Sequence, residues 1–260
     1  MKNKILESRV LGEHIRSWEE HNRFVHSPYP LYRIFAETKE NSETSNLMQS
    51  SSNYKVIAEE DLEKEVGRVD ALSIWHRLRF TKLKPEHPSL VVLAGYPLSG
   101  KTTLAKEIVK RSPENTFHIE SDKVREFVSA SMGYQTPKYN YTESHRTFNT
   151  IHELIRIALS EYVNVIFDAT NLQERGRIDA YLAAEEYRAP ITVLFVEAPS
   201  DIINDRLNSA DSDKRSAYAH MSETKFTEVT RDFPFIKVET SDSPTNIVSL
   251  ISKQLPITIE

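Results

Sequence analysis

Residues Leu90 to Thr103 read LVVLAGYPLSGKTT. Five apolar residues run without a polar break, the pattern of a strand buried on both faces. The chain then passes through Gly95-Tyr96-Pro97-Leu98-Ser99-Gly100-Lys101-Thr102, which fits Gly, four residues, Gly, Lys, Ser or Thr, and enters a helical pattern from Thr102 to Arg111 that stops before Pro113. Strand, glycine-framed turn and helix in that order let backbone N–H groups and a helix N-terminus surround a phosphate. Lys101 is placed to reach the β- and γ-phosphates of ATP and Thr102 to offer its hydroxyl to Mg²⁺, with Gly95, Ser99, Gly100 and Thr103 completing the nucleotide-binding stretch. Glycine is scarce: the 260 residues include six, about a third of the usual share. Two of them frame this loop.

Downstream the pattern repeats. Apolar runs at Leu90–Ala94, Thr116–Ile119, Val163–Phe167, Ile191–Val196 and Phe235–Val238 alternate with helical patterns at Asp122–Ser131, Glu143–Ser160, Leu172–Arg188, Asp201–Asn208 and Ala219–Thr230, with a last helix after Pro244. Strand and helix in alternation predict βαβ units, a five-stranded parallel sheet and a three-layer α/β domain. Upstream, Pro85 and Pro88 interrupt a helical pattern and set the boundary between an N-terminal extension, 1–88, and the main domain, 89–260. The extension reads as mostly helical: a helix before Pro28, a polar loop from Thr38 to Asn53, and a helix from Ala58 to about Phe80 with Leu62, Val66, Val69, Leu72 and Leu78 on one face. Arg77, Arg79, Lys82 and Lys84 gather around Phe80 as a small phosphate or nucleic-acid contact, or, more plainly, as cations set against a helix end.

Composition excludes several classes. With 27% charged residues and a net charge of -5, bulk attraction to nucleic acid or anionic membrane is not expected. The absence of cysteine removes disulfides, thiolate catalysis and cysteine-ligated zinc, and suits a reducing compartment. The N-terminus MKNKILESRV has no apolar segment of signal-peptide length and nothing approaches a membrane span, so the expected address is the cytoplasm.

A phosphate loop serves motors, switches and kinases alike, and the remaining motifs separate them. The third run ends VIFDATNL, which puts Asp168 where an acid organises the metal but follows it with Ala169, where a hydrolysing motor would place a glutamate. No Asn-Lys-x-Asp guanine-reading motif occurs. Asp122, just past the second strand, falls at the sheet edge where ligands of open α/β folds bind. There it can accept the proton of an attacking hydroxyl, or simply cap a helix. Arg125, one helical turn on, suits an anionic group on the acceptor. Arg206, on the helix after VLFVEAPSD, and Arg215 or Lys214, in the polar segment SADSDKRS, read as lid cations that neutralise charge on the transferring phosphoryl. His145, Arg146 and His152 are candidate acceptor contacts with surface or capping roles as the alternative. Tyr134, Tyr139 and Tyr141 are candidates for stacking a base, with packing as theirs.

GYPLSGKTT, SDKVR, FDATNLQERGR and VEAPSDIINDR, in this order and spacing, resemble the polynucleotide kinase branch of the phosphate-loop kinases over roughly residues 89–250. The resemblance implies a parallel sheet in the order 2-3-1-4-5, an acceptor-activating role for Asp122, an acceptor-phosphate role for Arg125 and a lid role for Arg206. Relatives often carry glycine where this chain has Leu98. The zeta-toxin kinases, which phosphorylate nucleotide sugars, share the loop and the Asp-x-x-Arg element, while DATNL favours the polynucleotide kinase branch. The expectation is therefore an ATP- and Mg²⁺-dependent kinase acting on a hydroxyl, a nucleic-acid 5′-OH first. A small-molecule or nucleotide-sugar kinase and a non-catalytic ATP-binding module whose N-terminal region recruits a partner are the alternatives.

Overall fold

The apolar runs become strands β1 (Leu90–Ala94), β2 (Thr116–Glu120), β3 (Asn164–Asp168), β4 (Ile191–Glu197) and β5 (Phe235–Glu239), each within one residue of its expected bounds. The computed structural model describes residues 59–260 apart from 211, 228 and 230–232. The helix expected before Pro28 and the polar stretch Thr38–Asn53 lie outside the described residues. All pairings are parallel, in the order β2-β3-β1-β4-β5. Every residue of β1 and β3 is buried, as central strands of a sheet covered on both faces must be. At the edge, β5 exposes Phe235, Lys237 and Glu239, and edge charges of this kind discourage pairing with other chains.

One face of the sheet packs Val91, Leu93, Ile166, Leu194, Val196 and Val238 against Leu104, Ala105 and Ile108 and against Ile247, Val248 and Ile251. The first helical group belongs to α2 (Lys101–Arg111) and the second to α8 (Pro244–Ile251). Proline at the first turn and the Ser243 hydroxyl, which accepts from the Asn246 N–H at 3.2 Å, set where α8 begins. Toward the other face, the His152 ring of α4 (Tyr141–Ser160) meets the Phe167 ring edge-on at 6.3 Å.

The described residues sort into two compact units, 74–124 with 151–260, which holds the whole sheet, and 59–73 with 125–150. In the smaller unit α1 (Glu59–Trp75) brings Gly67 so near Asn149 that a Cβ on the glycine would stand 2.8 Å from the asparagine's. That close approach accounts for a glycine inside a helix. Asp70 accepts from Arg146 at 2.6 and 3.0 Å with both side chains buried. Burial raises the Asp70 carboxyl above its usual range even with the guanidinium beside it.

Three helix expectations are corrected. α1 ends at Trp75, not Phe80, because the chain turns back to set Phe80 on Trp75 with ring centroids 5.0 Å apart. In that turn Arg79 donates to the carbonyls of His76 and Leu78, and Lys82 Nζ donates to those of Val109 and Ser112 at the end of α2. Two of the four clustered cations thus serve chain ends and carbonyls. The Leu172–Arg188 pattern splits into a 3₁₀ turn, Glu174–Gly176, and α5 (Ile178–Glu186). Between them Arg177 turns wholly inward to donate to the carbonyls of Asn171, Leu172 and Thr227 and to the Tyr181 hydroxyl. Past α6 (Ser200–Ser209), helix α7 (Ser212–Met221) occupies what read as a polar segment, and of the helix expected over Ala219–Thr230 only Ala219 to Met221 are helical among the described residues. Phe226 there stacks on Phe195 at 4.2 Å and on Phe235 at 5.6 Å, side chains of β4 and β5. No described helix is long and apolar enough to cross a membrane.

Candidate functional site

The loop Gly95–Gly100 leaves the carboxyl end of the central strand β1, beside Asp168 at the end of β3 and the turn after β4. Gly95 has a φ of +150°, and a Cβ there would stand 2.2 Å from the Val196 carbonyl oxygen. No other residue fits. Gly100 has a φ of +96°, and a Cβ would press on Thr240 at 3.1 Å. Leu98, in the place where relatives often carry glycine, is in the left-handed region at φ 66°, a conformation that costs a residue with a Cβ about 1–2 kcal/mol. Its carbonyl accepts from Arg206 Nη1 at 2.7 Å, a charge-assisted bond able to offset that strain.

Lys101 is buried, and its Nζ donates to the Tyr96 carbonyl at 2.6 Å and lies 3.4 Å from Ser99 Oγ. Burial pushes this ammonium down to about 8, while the carboxylates of Asp168 and then Asp122 pull it back up. Both acids therefore act on the lysine from within the larger unit. Thr102 Oγ1 donates to Asp168 Oδ2 at 2.7 Å. A hydroxyl and a carboxylate at that spacing are hard oxygen donors suited to Mg²⁺, whose sites take few protein ligands and complete themselves with phosphate and water. Among the described residues no group of three or more His, Cys, Asp and Glu forms a separate metal-binding cluster. Thr103 is exposed on α2.

Asp122 stands exposed in the first turn of α3 (Ser121–Ser131). Arg206 lies half-buried on α6 against the loop, bonded to Leu98 and, at 3.3 Å, to Thr240 Oγ1. Arg215 is exposed on α7, and the side chain of Lys214 lies outside the described residues. In the smaller unit Arg125 is buried, with Nη1 donating to Ser144 Oγ at 3.1 Å and 3.4 Å from Glu143 Oε2, and its guanidinium carbon is 4.8 Å from the centre of the Tyr139 ring. Arg146 is held by Asp70 and Ser131. The buried His152 ring lies 3.6 Å from an Asp179 carboxylate oxygen. Tyr134 is half-buried, whereas Tyr139 and Tyr141 are 64% and 80% exposed.

Two residues at the site carry no motif signal. His118 Nε2 lies 3.0 Å from Asp168 Oδ2, so the acid that bonds Thr102 is braced from β2 as well. Thr240, buried just past β5, donates to the Ser99 carbonyl at 2.7 Å and accepts from Arg206, which makes it the joint between the loop and Arg206. Alternation along β2 places His118 beside β3, and only the sheet order shows which acid it meets.

Compared with known proteins, residues 90–231, just over half of the chain, match the AAA domain family. No curated protein sequence matches. Among solved structures, a candidate kinase from Chloroflexus aurantiacus shares 13% identity over 65% of this chain and all of its own, with a TM-score of 0.51. A sugar kinase from Janibacter shares 16% over 64% of this chain and 93% of its own at 0.48. The APS kinase CysC of Mycobacterium tuberculosis, in complex with AMPPNP and APS, shares 15% over 64% and 96% at 0.47. At these identities the likeness concerns the fold, and the fold is that of the P-loop kinases.

Proposed function

The chain belongs to the AAA domain family, and from that premise we propose that it is an ATP-dependent phosphotransferase that moves the γ-phosphoryl group to an alcohol, with the 5′-OH of a polynucleotide as the acceptor. One observation carries the reading: buried Lys101, whose Nζ donates to the Tyr96 carbonyl of the glycine-framed loop, is followed by Thr102, whose hydroxyl donates to Asp168 at 2.7 Å. A phosphate lysine, a hydroxyl–acid pair suited to Mg²⁺ and a second, exposed acid, Asp122, in the first turn of α3 are what transfer to a hydroxyl requires, and a motor has no use for the second acid. Ala169, buried behind Asp168, offers no group to activate water.

In this reading Gly95 to Thr103 hold the triphosphate, with Lys101 on the β- and γ-phosphates, and Thr102 and Asp168 would hold Mg²⁺, which neutralises phosphate charge when bound. The acceptor oxygen attacks the γ-phosphorus as its proton passes to the Asp122 carboxylate. The bond from that phosphorus to the β,γ-bridging oxygen breaks, and ADP leaves with the electron pair. Arg206 offsets the charge that spreads over the transferring group, and Arg215 is the second lid cation. Arg125 anchors an anionic group of the acceptor. Residues 89–260 carry this chemistry and 1–88 form an extension.

Labelled ATP offered with 5′-OH oligonucleotides, nucleosides and UDP-sugars tests the assignment. Label on oligonucleotides is the expected result, and label only on UDP-sugars or nucleosides would move the acceptor to a small molecule. Asp122→Asn is expected to keep nucleotide affinity and to lower transfer by about 10²–10⁴-fold, the range of a general base. Normal transfer by that variant would remove Asp122 from the mechanism.

A further inference from the structure

Glu143 is fully enclosed, yet most of its bonds hold backbone and not a cation. Its carboxylate accepts from the Lys138 N–H at 3.0 Å, from the Tyr139 N–H at 2.6 Å and from the Ser129 hydroxyl, with Arg125 at 3.4 Å. Burial alone would raise this carboxyl, but those bonds hold it below its usual range, so the acid is an anion gripping the loop. Tyr139, whose N–H it accepts, has a φ of 53°. A left-handed backbone strains any residue with a Cβ. The strain does not serve the core, because the Tyr139 ring is 64% exposed. Its effect is to present that ring, with the Arg125 guanidinium 4.8 Å from its centre.

Two residues on, the ring of Tyr141 is 80% exposed and lies nearly parallel to the His145 imidazole, centroids 5.8 Å apart and planes 16° apart. Two exposed phenol rings, one over the buried Arg125 guanidinium and one beside the His145 imidazole, stand next to the exposed Lys138 and present aromatic faces with a cation at the surface. That pairing matches single-stranded nucleic acid, whose bases offer π-faces and whose backbone offers anions.

We propose that Tyr139 and Tyr141 are stacking platforms for bases of a single-stranded nucleic-acid acceptor, and that Glu143 is the positioning residue that holds Tyr139 and Arg125 for it. The proposal rests on the kinase reading for its acceptor class, but its test does not depend on turnover. Both rings are exposed, so Tyr139→Ala and Tyr141→Ala retain the fold, and Tyr139→Phe and Tyr141→Phe retain the stacking faces.

The full chain is titrated with a short 5′-OH oligodeoxynucleotide carrying 2-aminopurine in its first two positions. Wild type quenches the fluorescence. Each alanine variant is expected to bind about tenfold more weakly and to quench less, and each phenylalanine variant to behave as wild type. An oligonucleotide abasic at those positions is expected to bind wild type as weakly as the alanine variants do and to be indifferent to the substitutions. In the kinase assay the alanine variants show a raised KM for the oligonucleotide. Equal affinity of wild type and alanine variants, equal affinity for abasic and base-bearing strands, binding of mononucleotide only, or no oligonucleotide binding would each overturn the proposal. If strands are phosphorylated but the tyrosines are silent, the platform fails and the kinase reading stands. Tyrosine-dependent binding with no transfer to any strand leaves the platform standing and removes the polynucleotide acceptor.

Discussion

Replacing Thr240 by valine keeps the shape of the side chain and deletes one hydroxyl. That hydroxyl donates to the Ser99 carbonyl at 2.7 Å and accepts from Arg206 Nη1 at 3.3 Å, and it is buried. The first bond is short and neutral, with a net value of about 0.5–1.5 kcal/mol; the second is charge-assisted but long, and adds about 1 kcal/mol. A loss of about 1.5–2.5 kcal/mol is expected, or about 3–10 °C in Tm for a domain of this size. The functional effect follows from what the bonds hold. Ser99 and Gly100 form the turn around the phosphates, and Arg206 also holds the Leu98 carbonyl, so the loop loses its tie to β5 and its arginine loses one of two anchors. Thermal unfolding and calorimetric titration with ATP are the assays. A rise of about 5–10-fold in the ATP dissociation constant is expected with no change in the KM for the acceptor, and Thr240→Ser, which keeps the hydroxyl, should restore both. A valine variant within about 0.5 kcal/mol of wild type and with unaltered ATP affinity would refute the assignment of Thr240 as the joint between loop and arginine.

The ammonium of Lys101, pushed down to about 8 by burial, makes metal-free nucleotide affinity pH-dependent. Bound phosphates favour the protonated form, so affinity is complete below the depressed value and falls as pH rises through it, about tenfold between pH 7 and pH 9. Lys101→Arg should flatten the calorimetric profile, and a wild-type profile flat to pH 9 would count against the buried-lysine account. For the buried pair of Asp70 and Arg146, Asp70→Asn leaves an uncompensated guanidinium and is expected to cost about 3–5 kcal/mol, whereas Asp70→Leu with Arg146→Leu should cost much less. Equal losses for the single and the double variant in equilibrium unfolding would contradict that.

Strand positions were legible because each depends on its own five or so residues: a parallel strand buried on both faces is apolar along its middle, and the VVL, VIF and VLFV at the centres of LVVLA, NVIFD and ITVLFVE have few other uses. Sheet order followed from the resemblance. Helix limits were less legible where one side chain overrides the local pattern. Arg177 breaks a continuous helical stretch because four distant or neighbouring oxygens receive its guanidinium, and Phe226 withdraws its segment from helix by stacking on Phe195 and Phe235. The Thr227 carbonyl on Arg177 and the two rings on Phe226 come from outside any helical window. Phe80 ends α1 early in the same way, through a ring contact that only the folded chain brings about.

The site divides along the same line. Lys101, Thr102 and Asp168 announce themselves by spacing because the phosphate loop is local. The devices that make the loop workable are not local. Leu98 is the instructive case: its backbone is left-handed although it carries a Cβ, and what holds it there comes from far along the chain. The structure shows the left-handed conformation retained, with the strained carbonyl held by Arg206 from 108 residues away and the adjoining Ser99 carbonyl held by Thr240 from 141 residues away. A glycine at 98 would adopt that conformation without strain and would need less help from the arginine. The bond from Arg206 reaches a backbone carbonyl and would survive a glycine at 98; what leucine adds is a Cβ in the left-handed region, held in place by contacts from α6 and from just past β5.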